Sequence, residues 1–265
     1  MNTVARPPAA PLEIPEDLFE LAQEAERICI LTGAGMSAES GVPTFRDPID
    51  GLWENYSPED LVSVAGWESD PAVVWAWHLW FAALISRCRP NAGHRALGRW
   101  QRAGAKLGTT VEIITQNIDD LHERGGAKVG AHLHGEIMEL RCSECGAKAH
   151  APLSYPGQPQ ARITPPRCPF CGGYIRHCVT WFGEELPRRD IDASIDAASS
   201  CDLMLVIGTS GSVYPAAGLP HLASGRGVAV VEINPRDTAL SHEMDIVWRE
   251  SAAIALPDLG AAALH

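Results

Sequence analysis

Arg27-Ile-Cys-Ile-Leu-Thr-Gly-Ala-Gly-Met-Ser-Ala-Glu-Ser-Gly41 is the stretch that decides the fold. Arg27 to Leu31 is an apolar run of the kind buried on both faces in a parallel sheet. It runs straight into a glycine-rich turn, Gly33-Ala-Gly35, that opens a short helix. Strand, Gly-x-Gly turn and helix together set backbone N–H groups and a helix N-terminus against a pyrophosphate. The loop alone is weak evidence, because Ala38 stands where the third glycine of G-x-G-x-x-G is usual, and a tight turn also explains it. Working outward, residues 17–27 have helical spacing, and Val111–Thr115, Leu203–Gly208 and Val228–Ile233 are further apolar strands. Helical stretches at Pro71–Ser86 and Asn91–Arg102 lie between them. The alternation predicts an α/β, Rossmann-like, doubly wound parallel sheet.

Two segments break that rhythm: a Trp-rich helical region at 48–90 and a cysteine region at 141–175. They are expected to be insertions forming a smaller zinc-binding and helical second domain. The Rossmann part then comprises 21–47, 91–140 and 176–260, behind a flexible leader at 1–20. That leader holds four prolines and no apolar core after a basic start, unlike a signal peptide.

The chain has 265 residues, 46% of them hydrophobic, and a net charge of −12. Such a length and composition support a sizeable core and exclude disorder throughout. The acidic balance disfavours nucleic-acid binding. The longest apolar run, Leu79 to Ile85, is far short of the ~20 residues of a membrane span. A soluble, cytoplasmic and monomeric protein is expected.

Four of the eight cysteines fall in two tight pairs, Cys142-x-x-Cys145 and Cys168-x-x-Cys171, each followed by glycine. Two C-x2-C pairs complete a tetrahedron of thiolates around one zinc ion. Five prolines fill the intervening segment, which has no core of its own, so a metal supplies its order. Disulfides or a redox dithiol are the alternatives, disfavoured by a reducing cytosol and by the lack of thioredoxin-like context. Four thiolates leave no open coordination position, so this zinc is structural. Cys29, Cys88, Cys178 and Cys201 are scattered and receive no role.

Polar clusters sit where apolar strands end. Gly208-Thr-Ser-Gly211 and Asn234 follow two strands, and Thr115-Gln-Asn-Ile-Asp-Asp120 follows a third. Ligands of open α/β sheets bind at such ends, and Gln, Asn and Asp offer donors and acceptors suited to ribose and carboxamide. His132-Leu-His134-Gly135 comes next, with Gly135 leaving space beside a candidate base, His134.

Taken in order, these clusters resemble the sirtuins, the NAD-dependent protein lysine deacylases. Gly33-Ala-Gly-Met-Ser-Ala-Glu-Ser-Gly-Val-Pro-Thr-Phe-Arg46 looks like their cofactor loop, and Thr115 to Asp119, His134-Gly135, both cysteine pairs, Trp181-Phe-Gly-Glu184, Gly208-Thr-Ser210 and Ile233-Asn234 follow in family order. The resemblance covers about residues 25 to 257.

It implies NAD consumed as co-substrate, one structural zinc ion, and an acyl-lysine protein or peptide held between two domains. The acyl oxygen attacks C1′ of the nicotinamide ribose, nicotinamide leaves, and His134 deprotonates a ribose hydroxyl. The products are free lysine and O-acyl-ADP-ribose. Asn117 and Asp119 join His134 as catalytic residues. The implied cofactor contacts are Gly33, Ala34, Gly35, Ser37, Ala38, Thr44, Phe45, Arg46, Trp53, Gln116, Asn117, Asp119, Gly208, Thr209, Ser210, Asn234 and Ala252. Val179, Trp181, Phe182, Gly183 and Glu184 resemble the segment that pairs with an extended peptide by strand addition. Relatives that remove succinyl groups carry a Tyr-x-x-Arg pair on the helix before Asn91-Ala-Gly-His94, and here His78 and Phe81 stand at those positions. Without the arginine a buried succinyl carboxylate has no bidentate partner, so acetyl and longer neutral acyl groups are expected to be preferred over succinyl or malonyl.

Three other readings compete. A dehydrogenase shares the sheet but leaves the four-thiolate site beside Gln116-Asn117-Ile118-Asp119 unexplained. A sirtuin fold devoted to ADP-ribosyl transfer or NAD hydrolysis shares the glycosidic cleavage. A zinc-ribbon nucleic-acid module needs a basic cluster that the cysteine unit lacks.

Overall fold

The computed structural model describes residues 13–44, 53–150 and 160–264. In chain order the elements are α1 (Glu16–Glu24), β1 (Arg27–Thr32), α2 (Gly35–Ala38), α3 (Pro58–Leu61), α4 (Val64–Ser69), α5 (Pro71–Arg87), α6 (Ala92–Leu107), β2 (Thr110–Thr115) and α7 (Leu121–Arg124). Then come β3 (Val129–His132), β4 (Gly135–Cys142), β5 (Lys148–Ala149), β6 (Ile175–Val179), α8 (Arg188–Ser200), β7 (Leu203–Ile207), α9 (Leu219–Ser224), β8 (Ala229–Ile233), β9 (Ile246–Trp248) and α10 (Ala252–Ala262).

The main sheet has the order β3-β2-β1-β7-β8-β9, and every pair in it is parallel. Its strands alternate between two cores. Ile28 and Ile30 of β1 and Leu203, Leu205 and Ile207 of β7 face Leu18, Trp100 and Leu256 of α1, α6 and α10. Cys29, Leu31, Met204 and Val206 face the other way, toward Ala197, Ala198 and Ala223 of α8 and α9. Burial on both faces is the reason the β1 run carries no polar alternation. The chain leaves β1 toward β2 and β3 on one side and takes up β7, β8 and β9 on the other. The switch point between β1 and β7 opens a crevice at the carboxyl ends of the strands.

There the two loops meet without side chains between them. Gly33 N–H donates to Ile207 O at 2.9 Å, and Gly35 N–H to Gly208 O at 2.8 Å. A Cβ on Gly35 would lie 2.7 Å from Gly208 Cα, and one on Gly208, whose φ is +61°, 2.6 Å from the Met36 nitrogen.

The second lobe has its own core. Trp53, Trp67, Trp75, Trp77 and Leu79 pack with Ile137, Leu140, Ile175 and Val179 of the antiparallel sheet β5-β4-β6 and with Trp181 just beyond it. The described parts of the two segments share that core and are tied also by Ile163 N–H to Ala72 O at 3.0 Å. Asp70 caps α5 through Val73 N–H, with Pro71 in the first turn. Asn91 caps α6 by accepting from Gly93 and His94 N–H, and Gly108 ends it in the left-handed conformation.

Three boundaries differ from the sequence reading. Residues 16–20 of the expected leader are the start of α1, with Leu18 fully buried, and residues 1–12 lie outside the described part. The helix expected over 17–27 stops at Glu24, because Arg27 already pairs in β1 with Thr110. A domain cut at 141 runs through β4, whose Ile137 and Leu140 belong to the second core.

Gly35→Ala should cost on the order of 1–3 kcal/mol, the usual cost of overpacking. Thermal unfolding reports it as a fall in Tm of several degrees, and an unchanged Tm would show that the two loops have room to part.

Candidate active site

The carboxyl ends of β1, β2, β7 and β8 bring the predicted polar residues to the switch point. Gln116 Nε2 donates to Thr209 Oγ1 at 2.9 Å, and Asn234 Nδ2 donates to Thr209 O at 3.0 Å. Thr209 thus joins the segments after β2, β7 and β8. Beneath them lies a buried polar layer. Ser37 Oγ donates to Asp119 Oδ2 at 2.9 Å and accepts from Asn117 Nδ2 at 3.2 Å, and Asp119 Oδ1 accepts from Leu121 N–H. Burial raises the Asp119 pKa, against the pull of those two donors. Ser37, Asn117 and Asp119 are buried.

His134 stands at the rim. Its Nδ1 lies 2.9 Å from the Gln116 carbonyl oxygen, which can only accept. Nδ1 therefore carries the proton and Nε2 is the nitrogen able to take one. Burial pushes the pKa below the ordinary histidine value, opposed by the Gln116 carbonyl, so the ring is neutral at pH 7. Gly135 does not serve to leave space beside this ring, as the sequence suggests. Its φ is +77°, and a Cβ would fall 1.9 Å from Cys178 O, so glycine is required by the close pairing of β4 with β6.

The histidine two residues earlier is unsuited as the base. His132 Nε2 lies 3.0 Å from Glu123 Oε1 and 3.3 Å from Glu136 Oε1. Although burial opposes it, these carboxylates raise the His132 pKa.

The cysteines form the second centre. The sulfurs of Cys142, Cys145, Cys168 and Cys171 all lie within 4.8 Å of one another, with Cys142 and Cys171 at 3.4 Å and Cys145 and Cys168 at 3.8 Å. Zn–S bonds of about 2.3 Å place tetrahedral sulfurs about 3.8 Å apart, so the four fit one zinc ion. Backbone amides, that of Cys145 foremost, bring the Cys142 thiol down to about 6. Cys171 accepts from Gly173 N–H, yet its contact with Cys142 helps push it up to about 12. Thiolates crowded in this way call for a cation.

Comparison with known proteins places this arrangement. The Sir2 family profile matches residues 33–215. The chain belongs to the Sir2 family. An NAD-dependent protein deacylase of Corynebacterium glutamicum is 48% identical over 244 residues, covering 92% of this chain and 94% of the relative. One from Mycobacterium tuberculosis is 48% identical over 233 residues, covering 88% and 96%. Among solved structures, a Sir2 homologue bound to NAD superposes with a TM-score of 0.85 at 38% identity, covering 95% of this chain and 94% of that one.

This sirtuin's donor set suits NAD: amides from Gln116, Asn117 and Asn234, hydroxyls from Thr209 and Ser210, and no lysine among them. Other expected contacts have different surroundings. Trp53 and Ala252 are buried in the second and first cores respectively, and Ala38 is exposed at the end of α2. Ala34 and Thr44 are partly buried, while Phe45 and Arg46 lie outside the described residues.

The expected substrate wall is more tightly built than the sequence suggests. Trp181 is buried, and its Nε1 donates to His78 Nε2 at 3.2 Å. His78 Nδ1 lies 2.8 Å from Val74 O, so both ring nitrogens are engaged. Glu184 holds Arg176 through two contacts, at 2.5 and 3.0 Å, and accepts from Trp181 N–H. Val179 is buried in β6, and Phe182 is exposed. The N–H groups of Thr180, Trp181, Phe182 and Glu184 all donate within the chain, so an added peptide strand cannot draw on those donors without displacing them. Phe81 is partly buried and stacks on Trp77, with centroids 5.1 Å apart.

Sequence reasoning missed two buried histidines under the polar layer. His94 Nε2 lies 3.4 Å from Ser37 Oγ, and burial, then Arg95, lowers its pKa to about 4. His122 Nε2 lies 3.0 Å from Thr32 Oγ1, which donates to Thr115 Oγ1 at 2.8 Å. The signal for His94 was its place three residues after the helix-capping Asn91. His122 carried no signal beyond its proximity to Asp119.

Two outcomes are expected. Cys168→Ser should lose bound metal together with folded protein in the soluble fraction, read by metal analysis and circular dichroism. A folded, metal-free, fully active variant would contradict the structural role. His134→Ala should lower turnover roughly 10²–10⁴-fold while NAD affinity stays near wild type. Wild-type kcat should fall as acid protonates His134 below the ordinary histidine range, and His134→Ala should lack that limb.

Proposed function

We propose that this sirtuin removes uncharged acyl groups from protein lysine side chains, consuming NAD and giving nicotinamide, O-acyl-ADP-ribose and free lysine. The observation that carries the reaction is the His134 tautomer: the Gln116 carbonyl holds Nδ1–H, and Nε2 is available as a general base. Bound NAD supplies the glycosidic bond that is broken and the ribose hydroxyl that receives the acyl group. Asn117, Asp119 and Ser37 orient ribose and carboxamide, and Gln116, Thr209, Ser210 and Asn234 hold the rest of the dinucleotide. The four cysteines hold one zinc ion that shapes the second lobe and takes no part in the chemistry. The acidic chain is read as a cytoplasmic monomer.

The acyl preference rests on α5. A succinyl or malonyl carboxylate entering beside this helix finds Phe81 where an arginine would pair with it. His78 offers no replacement, since its ring bonds Val74 O and Trp181 Nε1, and burial first, then the neighbouring His177, hold its pKa well below the ordinary value. An unpaired carboxylate is costly to bury, whereas an alkyl chain gains by covering the partly buried Phe81.

On one peptide, kcat/KM should be at least on the order of ten-fold higher for acetyl- or butyryl-lysine than for succinyl-lysine, the discrimination worth ~1.4 kcal/mol. The double variant His78→Tyr/Phe81→Arg should gain succinyl activity. A wild-type preference for succinyl-lysine, or no gain in the double variant, would place the acyl group elsewhere.

A further inference from the structure

His132 takes no part in the chemistry above, yet it is built into the same turn as the base. It closes β3, opposite Thr115 of β2, and its side chain is only 13% exposed. Carboxylates reach it from three elements. Glu123 of α7 and Glu136 of β4 both approach Nε2, and Asp190 of α8 is close enough for attraction to its charge. His122, also on α7, faces it as a second titratable ring and is itself held neutral, mainly by burial. The Nδ1 atom is buried without a hydrogen bond of good geometry, the Asn117 backbone exerting only a weak pull on the ring.

The two main partners belong to the two halves of the catalytic site. Glu123 follows directly on the segment that carries Gln116, Asn117 and Asp119, and Glu136 lies two residues beyond His134. Those halves already touch at His134 Nδ1 and Gln116 O and through Ile137 N–H to Ile118 O at 2.9 Å, so a further tie between Glu123 and Glu136 adjusts a contact already made. A neutral ring protonated on Nε2 still donates to one carboxylate, whereas the net charge of the imidazolium attracts both.

We propose that His132 is a positioning residue: as the imidazolium it clasps Glu123 to Glu136, draws the Asn117–Asp119 segment and the His134 turn closer than their backbone bonds alone, and slackens that hold when Nδ1 loses its proton. The proposal rests on the deacylase reading for its kinetic consequence. Each ion pair is partly exposed and individually weak. Its leverage is geometric, because a base displaced by a fraction of an ångström loses rate steeply. The carboxylates raise the His132 pKa above its unfolded value, against the effect of burial. The clasp is therefore complete below about pH 6.5, the unfolded value, and is lost as pH rises through the folded one. His134 has the opposite sign and limits the acid side.

The test is the pH profile of kcat and of KM for NAD, from about pH 5.5 to 9.5, a range that brackets histidine titration. Wild type is compared with His132→Gln, His132→Lys and Glu123→Gln/Glu136→Gln, each checked for folding by circular dichroism. His132→Gln should lower kcat at neutral pH on the order of ten-fold, as a slight misplacement does, with KM for NAD changing less, and should lack the alkaline inflection. His132→Lys, charged throughout, should keep its activity to higher pH than wild type. An alkaline limb in His132→Gln that superimposes on the wild-type one overturns the proposal. If the His132 variants fail to fold, the glutamate pair decides: the inflection moves to lower pH or, unmoved, refutes the clasp. Imidazole NMR of the wild type gives a reading free of substrate. Titration of His132 above about 6.5 supports the clasp, and titration at or below it refutes the clasp. A wild type that releases no nicotinamide with any acyl-lysine peptide instead refutes the deacylase reading, leaving the NMR result to judge His132.

Discussion

Everything at the ligand end depends on two backbone loops approaching one another with no side chain between them. Gly33 and Gly35 donate to the chain at Ile207 and Gly208, and a single methyl on either side would collide with main-chain atoms. That contact closes the floor of the crevice at the switch point. It also sets Thr209 where Gln116 and Asn234 can both reach it. The glycines thus serve a loop-to-loop contact, and the ligand site is what that contact leaves open above it.

The parallel sheet was legible because its strands are buried on both faces, which strips polar residues from runs such as Leu203–Ile207 and leaves a contrast that no surface element shows. The strand ends were legible for the complementary reason, since polar residues concentrate where those runs stop. The four cysteines were legible from spacing alone. What escaped was set by partners distant in sequence. The cut at 141 fails because Ile137 and Leu140 look like any apolar residues until β6 pairs beside them. Gly135 was assigned to His134, its neighbour in the chain, although Cys178 is what it must accommodate. His78 could be aligned with an acyl-pocket position, but its engagement by Trp181, more than a hundred residues away, was not legible.

Histidines show most clearly how surroundings assign chemistry to a residue type. His134 meets one carbonyl and is held by burial below the ordinary histidine pKa, His132 meets two carboxylates that raise it against burial, and His78 bonds a carbonyl and an indole N–H within the core. His94 and His122 pack edge to face, 5.0 Å apart, beneath the polar layer. Sequence spacing separates His132 from His134 by two residues and gives no hint that their proton affinities move in opposite directions.

β4 joins the two centres by itself. It begins at Gly135, beside the base, and ends at Cys142, the first thiolate of the tetrad. One strand thus runs from the cysteine tetrad to the His134 turn, paired with β6 on both sides of a register shift between Glu136 and Leu140. On the proposed reading, stripping the ion and restoring it should switch turnover off and on, in the manner of a metalloenzyme, although four thiolates leave the ion no open position. Dependence on zinc and chemistry by zinc are separate properties, and a strand shared between two sites is enough to give the first without the second.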